Sequence, residues 1–293
     1  MSATGHFGWI WRSSFVRLVR FFSLPKVLID LCSLISGMDD KHKFFFMNIG
    51  KILGVSFFKG TVKEACKKAQ CGGLVVAPSG PGMASDLQSC KIYAKALLNA
   101  DLTLLDSGLI GLWAKCFRIG KYSRISGLAF LKEYLDGGYW AVENSLWVMP
   151  DPAQSKANLQ WIKDRYGAEI SEEFVYVAPV YDQKGEIIDN QLLERVERLK
   201  PQNLFIQLGG GVQERLGLYL QNSLPQAHSI LCTGAALAFL SGQQVAIPTW
   251  VDQFYLGWLF RCVDQPRVFI PRYLKSFRLL YLLFRYGERL PVK

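Results

Sequence analysis

Short apolar runs alternate with helical stretches along the middle of this chain, and that alternation leaves little choice of fold. The runs Leu74–Ala77, Leu102–Leu105, Trp140–Met149, Phe174–Pro179, Asn203–Leu208 and Ser229–Thr233 read as strands. Between them lie the helical stretches Thr61–Gln70, Ser85–Asn99, Ala153–Tyr166 and Gln191–Leu199, and a helix opening near Gln213. Thr61 and Glu64 have the spacing of a capping box. Phe44–Phe58 reads as two short apolar runs, strands or a strand and a turn, and Pro78-Ser79-Gly80-Pro81-Gly82 reads as a tight loop. Strands separated by helices at this spacing predict an α/β domain with a largely parallel sheet flanked by helices.

In such a sheet, ligands sit at the carboxyl ends of the strands. Ala77–Gly82, Asp106–Gly108, Gly209–Gln213 and Gly234 are all turns of that kind, which points to one shared site. Asp106 ends an apolar run just before a Ser-Gly turn, with Lys121 and Arg124 downstream. Two roles fit it: a cap for the next helix, or a base facing a cation across the turn. The run Leu208-Gly209-Gly210-Gly211-Val212-Gln213-Glu214 feeds a helix, so its backbone amides can bind a phosphate and Gln213 can offer its amide to a base or sugar. The plain alternative is a tight turn for close packing. A GxSxG nucleophile elbow, a P-loop lysine motif, a DxD pair and a CxxC are all absent from the sequence. Seven scattered cysteines and three scattered histidines predict reduced thiols and no metal site.

Charge adds a second theme. The net charge over 293 residues is +10, and the basic residues gather at the two ends. Residues 8–36 are rich in aromatics and arginine, as an interfacial membrane helix is; a helix packed on the protein's own core fits equally well. From Ile247 the chain is aromatic, basic and broken by Pro266 and Pro271, which predicts an appendage of short helices. The expected organisation is an amphipathic basic extension over 1–43, an α/β core over 44–250 and a basic membrane-proximal appendage over 251–293. In the appendage Arg261, Arg267 and Arg272 have the fixed fork that suits a diphosphate, or form a solvated basic face. No stretch reaches the roughly 18 apolar residues of a membrane span, and the N-terminus does not read as a cleavable signal. No nucleic-acid-binding motif accompanies the charge, so nucleic acid is not expected as a partner.

Several of these segments line up in order with one family. Val75-Val76-Ala77-Pro78-Ser79 resembles its first motif, an apolar strand ending in a Thr-x-Asn-like turn. Ala100-Asp101-Leu102-Thr103-Leu104-Leu105-Asp106-Ser107-Gly108 is similar to ADL-apolar-PDG-x-G, and Arg124-Ile125-Ser126-Gly127 to R-V-x-G. Gln207–Glu214 matches GLGxPxQE, Thr233-Gly234-Ala235 a Gly-rich strand end, and Leu256–Arg261 with Pro266-Arg267 the LEWLYR and P-x-R motifs. Over about residues 46–275 the chain resembles the WecG/TagA/CpsF glycosyltransferases, family 26.

That resemblance implies a Rossmann-like α/β fold with a C-terminal appendage closing over the site at the membrane. It implies an inverting, metal-independent enzyme without a cofactor. Such enzymes move a sugar, often of the N-acetylmannosamine type, from a UDP-sugar donor to a polyprenyl-diphosphate-linked sugar acceptor. The setting implied is cytoplasmic and peripheral on the inner face of the cell membrane, against an anionic surface. Homo-oligomers are compatible with it. Carried over by position, Asp106 is the base; Arg124 contacts donor or acceptor; Gln213 meets the donor nucleotide; Arg261 and Arg267 meet the leaving diphosphate. Ala77 and Ser79 stand where the family has Thr and Asn at the sugar pocket, Gly211 replaces a Pro, and Ser107 is an extra residue beside Asp106. The same departures fit a catalytically weak relative that acts as a membrane-bound binding or assembly subunit.

Overall fold

The computed structural model describes residues 51–117, 122–224, 228–243, 267, 271, 274 and 277–291. The chain divides into units Met1–Met47 and Asn48–Lys293, and every described residue belongs to the second. The expected extension over 1–43 and the boundary at 250/251 lie outside the described residues.

In chain order the elements are helix α1 (Val62–Ala69), strand β1 (Gly73–Val76), α2 (Gly80–Ser89), α3 (Lys91–Asn99), β2 (Leu102–Thr103), α4 (Gly108–Cys116) and α5 (Gly127–Asp136). They continue with β3 (Ser145–Met149), α6 (Pro152–Tyr166), β4 (Val175–Val177), α7 (Asn190–Leu199), β5 (Asn203–Ile206), α8 (Val212–Ser223), β6 (Ser229–Cys232), α9 (Ala236–Leu240) and α10 (Phe277–Tyr286). The six strands form one sheet in the order β2-β1-β6-β5-β3-β4, and every pairing is parallel. This is the α/β Rossmann-like architecture expected from the sequence.

The strands pair this way because their side chains are apolar on both faces. β3, β5 and β6 are buried at every position, as a sheet covered by helices on both sides requires. Trp147 of β3 stacks on Phe205 of β5 at 4.0 Å, and Trp140 meets both rings edge-on. The helices start where side chains can satisfy their first amides. Thr61 and Glu64 form the expected box, with Thr61 N donating to Glu64 at 2.7 Å. Asp151 caps α6, Pro152 follows it, and Gly167 ends the helix at φ 65°.

Three expectations are corrected. Pro78–Gly82 is a helix start, not a loop: Ser79 caps α2, and Pro81 sits in the first turn, where a missing N–H costs nothing. The single helix expected over Ser85–Asn99 is two helices, broken at an extended Cys90 (φ −128°, ψ 102°). In Trp140–Met149 strand pairing begins only at Ser145, after a 3-10 turn at Val142–Asn144. Of Phe44–Phe58, read as strands or a strand and a turn, the described part is a tight turn, where Ile52 and Val55 pair, with Leu53 and Gly54 at positive φ between them, and residues 44–50 lie outside the described residues. Phe58 N then donates to Thr103 O at 2.9 Å and covers the outer edge of β2.

Helix α10 is seated on the core. Leu279, Leu282 and Leu283 are fully buried, and Phe284 meets Phe117 edge-on at 5.6 Å. The chain after α10 is tied to the tight turn, with Leu53 N and Gly54 N donating to Gly287 O and Glu288 O at 2.8 and 2.7 Å. Among the described residues no helix is long and apolar enough to cross a membrane.

Candidate active site

The carboxyl ends of β1, β2, β5 and β6 meet at one place. Beyond β2, Leu104 N still donates to Val76 O, and Asp106 N then turns back onto Leu104 O at 3.0 Å. This sets Asp106 at the rim, half-buried. Ser107 caps α4 by accepting from Ile110 N at 3.3 Å, so the next helix already has its cap and the Asp106 carboxylate is turned elsewhere. Its Oδ1 accepts from Gly127 N, the first amide of α5, at 3.1 Å. Arg124 folds back over the same turn, and its Nε donates to Asp106 O at 3.0 Å. The capping role of Asp106 thus holds in altered form: it caps a helix, but one 21 residues on.

Glycine at position 127 leaves room for this close approach. A Cβ there would lie 3.0 Å from Thr233 O and 3.3 Å from the Ala77 Cβ. The start of α5 therefore stands directly on the ends of β1 and β6. Ala77 is buried as a packing surface for that contact. Ser79 is half-buried; its Oγ accepts from Gly82 N at 3.3 Å and lies 3.4 Å from where a Cβ on Gly210 would be. Gly80 packs on Ser107, whose Oγ would be 2.8 Å from a Cβ at position 80. The extra residue beside Asp106 thereby acquires two physical roles: it caps α4 and abuts the start of α2.

Across this cleft, β5 runs into the glycine turn. Gly209 and Gly210 are exposed, and Gly211 takes φ 91°, which favours glycine. Gln207 spans the ends of β5 and β6: its Nε2 donates to Thr233 Oγ1 at 2.9 Å and its Oε1 accepts from Leu237 N. Gln213 is buried rather than open to the cleft. Its Oε1 accepts from Gly234 N at 2.6 Å and its Nε2 donates to Glu214 Oε1 at 3.1 Å. Glu214 is wholly buried, and its Oε2 accepts from Gly211 N at 2.6 Å. Burial pushes its carboxyl up to about 7, against the hydrogen bonds from its own amide, Gly211 and Gln213, which act to lower it. Arg215, also buried, donates to Gly211 O, Gly185 O and Asp182 O at 2.9, 2.9 and 2.7 Å.

The structure therefore brings together Asp106, Arg124, Ala77, Ser79, Gly209 and Gln213. Arg267 is exposed, and Arg261 and Arg272 lie outside the described residues. Sequence reasoning assigned no role to Glu214 or Arg215. Glu214 three residues after Gly211 is the acid half of a capping box, and that spacing was a usable signal for the first. Little local marks Arg215, since besides Gly211 O its partners lie 30 and 33 residues away.

Chemically the site offers a carboxylate at one rim, a serine hydroxyl beside it, and the exposed amides of a glycine turn at the head of α8. That set can accept a proton and hold an anion. Compared with curated protein sequences, the chain finds no match. A family model, that of the glycosyl transferase WecG/TagA/CpsF family, matches residues 50–291, which include every element described above. Since that match covers most of its length, the chain belongs to the glycosyl transferase WecG/TagA/CpsF family.

Proposed function

We propose that the protein transfers a sugar, of the N-acetylmannosamine type or a related hexose, from a UDP-sugar to a polyprenyl-diphosphate-linked acceptor in cell-surface polysaccharide synthesis. The observation that carries this reading is the half-buried Asp106 carboxylate, aimed by the Gly127 amide into the cleft that Ser79 and the glycine turn share. In the reaction, Asp106 takes the proton of the acceptor hydroxyl. The acceptor oxygen attacks the anomeric carbon from the face opposite the nucleotide. The bond to the diphosphate breaks, UDP leaves with the electron pair, and the anomeric centre inverts. The amides of Gly209 and Gly210 and the arginines Arg124, Arg261, Arg267 and Arg272 balance the charge gathering on the leaving group, so the transfer requires no metal.

Such an enzyme works on the inner face of the membrane without crossing it. Exposed Phe277 and Tyr281 on α10, with Arg278 and Arg285, support a peripheral contact with an anionic surface. Leu279 of α10 packs 3.6 Å from the Cβ position of Gly80, at the start of α2. The test is transfer of radiolabel from a panel of UDP-sugars to a polyprenyl-diphosphate-linked sugar in anionic liposomes. The expected result is a labelled lipid product with inverted anomeric configuration. Absence of turnover with every donor, alongside intact liposome binding, would overturn the enzyme reading in favour of a binding or assembly subunit.

A further inference from the structure

The glycine turn that faces the cleft rests on buried acid. Glu214 lies beneath it and is fully buried, with one carboxyl oxygen on Gly211 N and the other on the Gln213 amide. From Gln213 the connection continues to Gly234 at the end of β6. A second acid stands on the other side of the same glycine: Asp86 Oδ2 would be 2.9 Å from a Cβ on Gly211. Around this pair stand Tyr93 of α3, Cys232 at the end of β6, and Arg215 on α8 itself. Among the described residues the buried Tyr93 hydroxyl has no hydrogen-bond partner, and the Arg215 guanidinium is committed to three backbone carbonyls. A donor held by the turn, as the proposed function requires, adds a diphosphate to a neighbourhood that already holds two carboxyl groups. In a dry interior such like charges repel strongly unless one of them is neutralised.

We propose that Glu214 is a positioning residue that couples occupancy of the glycine turn by a donor diphosphate to the uptake of one proton. The proton goes onto the Glu214 carboxylate from solvent, and no other bond is made or broken. The neutral acid still lies against Gly211 and Gln213 but no longer opposes the anion above it. By linkage the two binding events assist each other: a bound diphosphate draws a proton to Glu214, and a proton on Glu214 tightens the turn's hold on the diphosphate. With the carboxyl pushed up to about 7 before any ligand arrives, the exchange falls in the neutral range. Donor affinity is then high at pH 6 and falls as pH rises through 7 and above.

The experiment is calorimetric titration of the full chain with UDP-N-acetylmannosamine, whose diphosphate diester has no group titrating near neutrality. It is run at several pH values in buffers of different ionisation enthalpy. The wild type is expected to take up about half a proton per donor at pH 7, and its affinity to fall toward tenfold per pH unit above that. Glu214→Gln is expected to take up none and to bind with a pH-independent affinity. Asp86→Asn is the second variant and removes the facing acid; its uptake profile is expected to move to lower pH. Binding without proton uptake in the wild type, or the same uptake in Glu214→Gln, overturns the coupling while leaving the donor site standing. Absence of binding at every pH overturns the donor-site reading itself, and the coupling with it.

Discussion

Replacing Gly127 by alanine tests whether the start of α5 aims the Asp106 carboxylate. The new Cβ would sit 3.0 Å from Thr233 O and 3.3 Å from the Ala77 Cβ. Ordinary contacts begin near 3.4 Å, so α5 must lift by a few tenths of an ångström, because a carbonyl at the end of a paired strand cannot yield. Overpacking of that size costs about 1–2 kcal/mol, and for a domain of this length it lowers Tm by roughly 2–8 °C. The same lift stretches the Asp106–Gly127 bond from 3.1 Å toward the limit of a useful hydrogen bond. If a misplacement of ~1 Å costs about a hundredfold, a shift of under half that predicts a fall of roughly tenfold in kcat. The assay is steady-state transfer beside a thermal melt. Adding Ala77→Gly removes the 3.3 Å contact but leaves the 3.0 Å one, so the double variant should recover only part of both losses. A Gly127→Ala protein with wild-type Tm and kcat would refute the claim that this contact positions the carboxylate.

Asp106→Asn keeps an acceptor for the Gly127 amide but removes the proposed base; kcat should fall about 10²–10⁴-fold while donor affinity by calorimetry stays near wild type. Gly217→Ala places a Cβ 2.6 Å from Leu74 Cδ1 and 2.8 Å from Cys232 Sγ, where α8 crosses β1 and β6. The expected loss is about 1–3 kcal/mol in urea unfolding, with donor affinity unchanged. Glu214 also marks the pH dependence of stability. Its carboxyl is raised from an ordinary 4.5 to about 7, so the folded state holds a proton that the unfolded state releases. Its contribution is fully present below pH 4.5 and is lost as pH rises to about 7, a decline of roughly 3 kcal/mol. Glu214→Gln should lack that slope when unfolding is compared at pH 5 and pH 7.5.

Much of the sheet was legible because parallel strands covered on both faces are plain apolar runs, and each ends at a glycine or a polar turn. The carboxyl-edge convergence followed from the same pattern. What escaped notice was set by contacts distant in sequence. The α2 start was hidden because Ser79, Pro81 and the flanking glycines look alike in a loop and in a capped first turn. Trp140 extended the apparent strand toward its N-terminus, yet its ring packs on Trp147 from outside the sheet. Asp106 could not be resolved between cap and base because its partner amide is 21 residues on, and Ser107, which looked like an unexplained insertion, is what frees it from capping α4.

The two departures at the end of β1 are unequal in consequence. Ala77 is only 6% exposed, and it faces the one glycine that brings α5 onto the sheet. A larger, polar side chain at 77 would compete with that contact, so in this chain the position serves packing. Ser79 is different: it is half-buried, it accepts from Gly82 N, and its hydroxyl proton remains for another acceptor next to Gly210. The polar function at this edge has therefore contracted to one short hydroxyl, which leaves more room between α2 and the glycine turn than a longer amide would. Under the proposed function, a change of that kind bears on which sugar fits beside the diphosphate more than on the base, because the Asp106 carboxylate is held by the Gly127 amide.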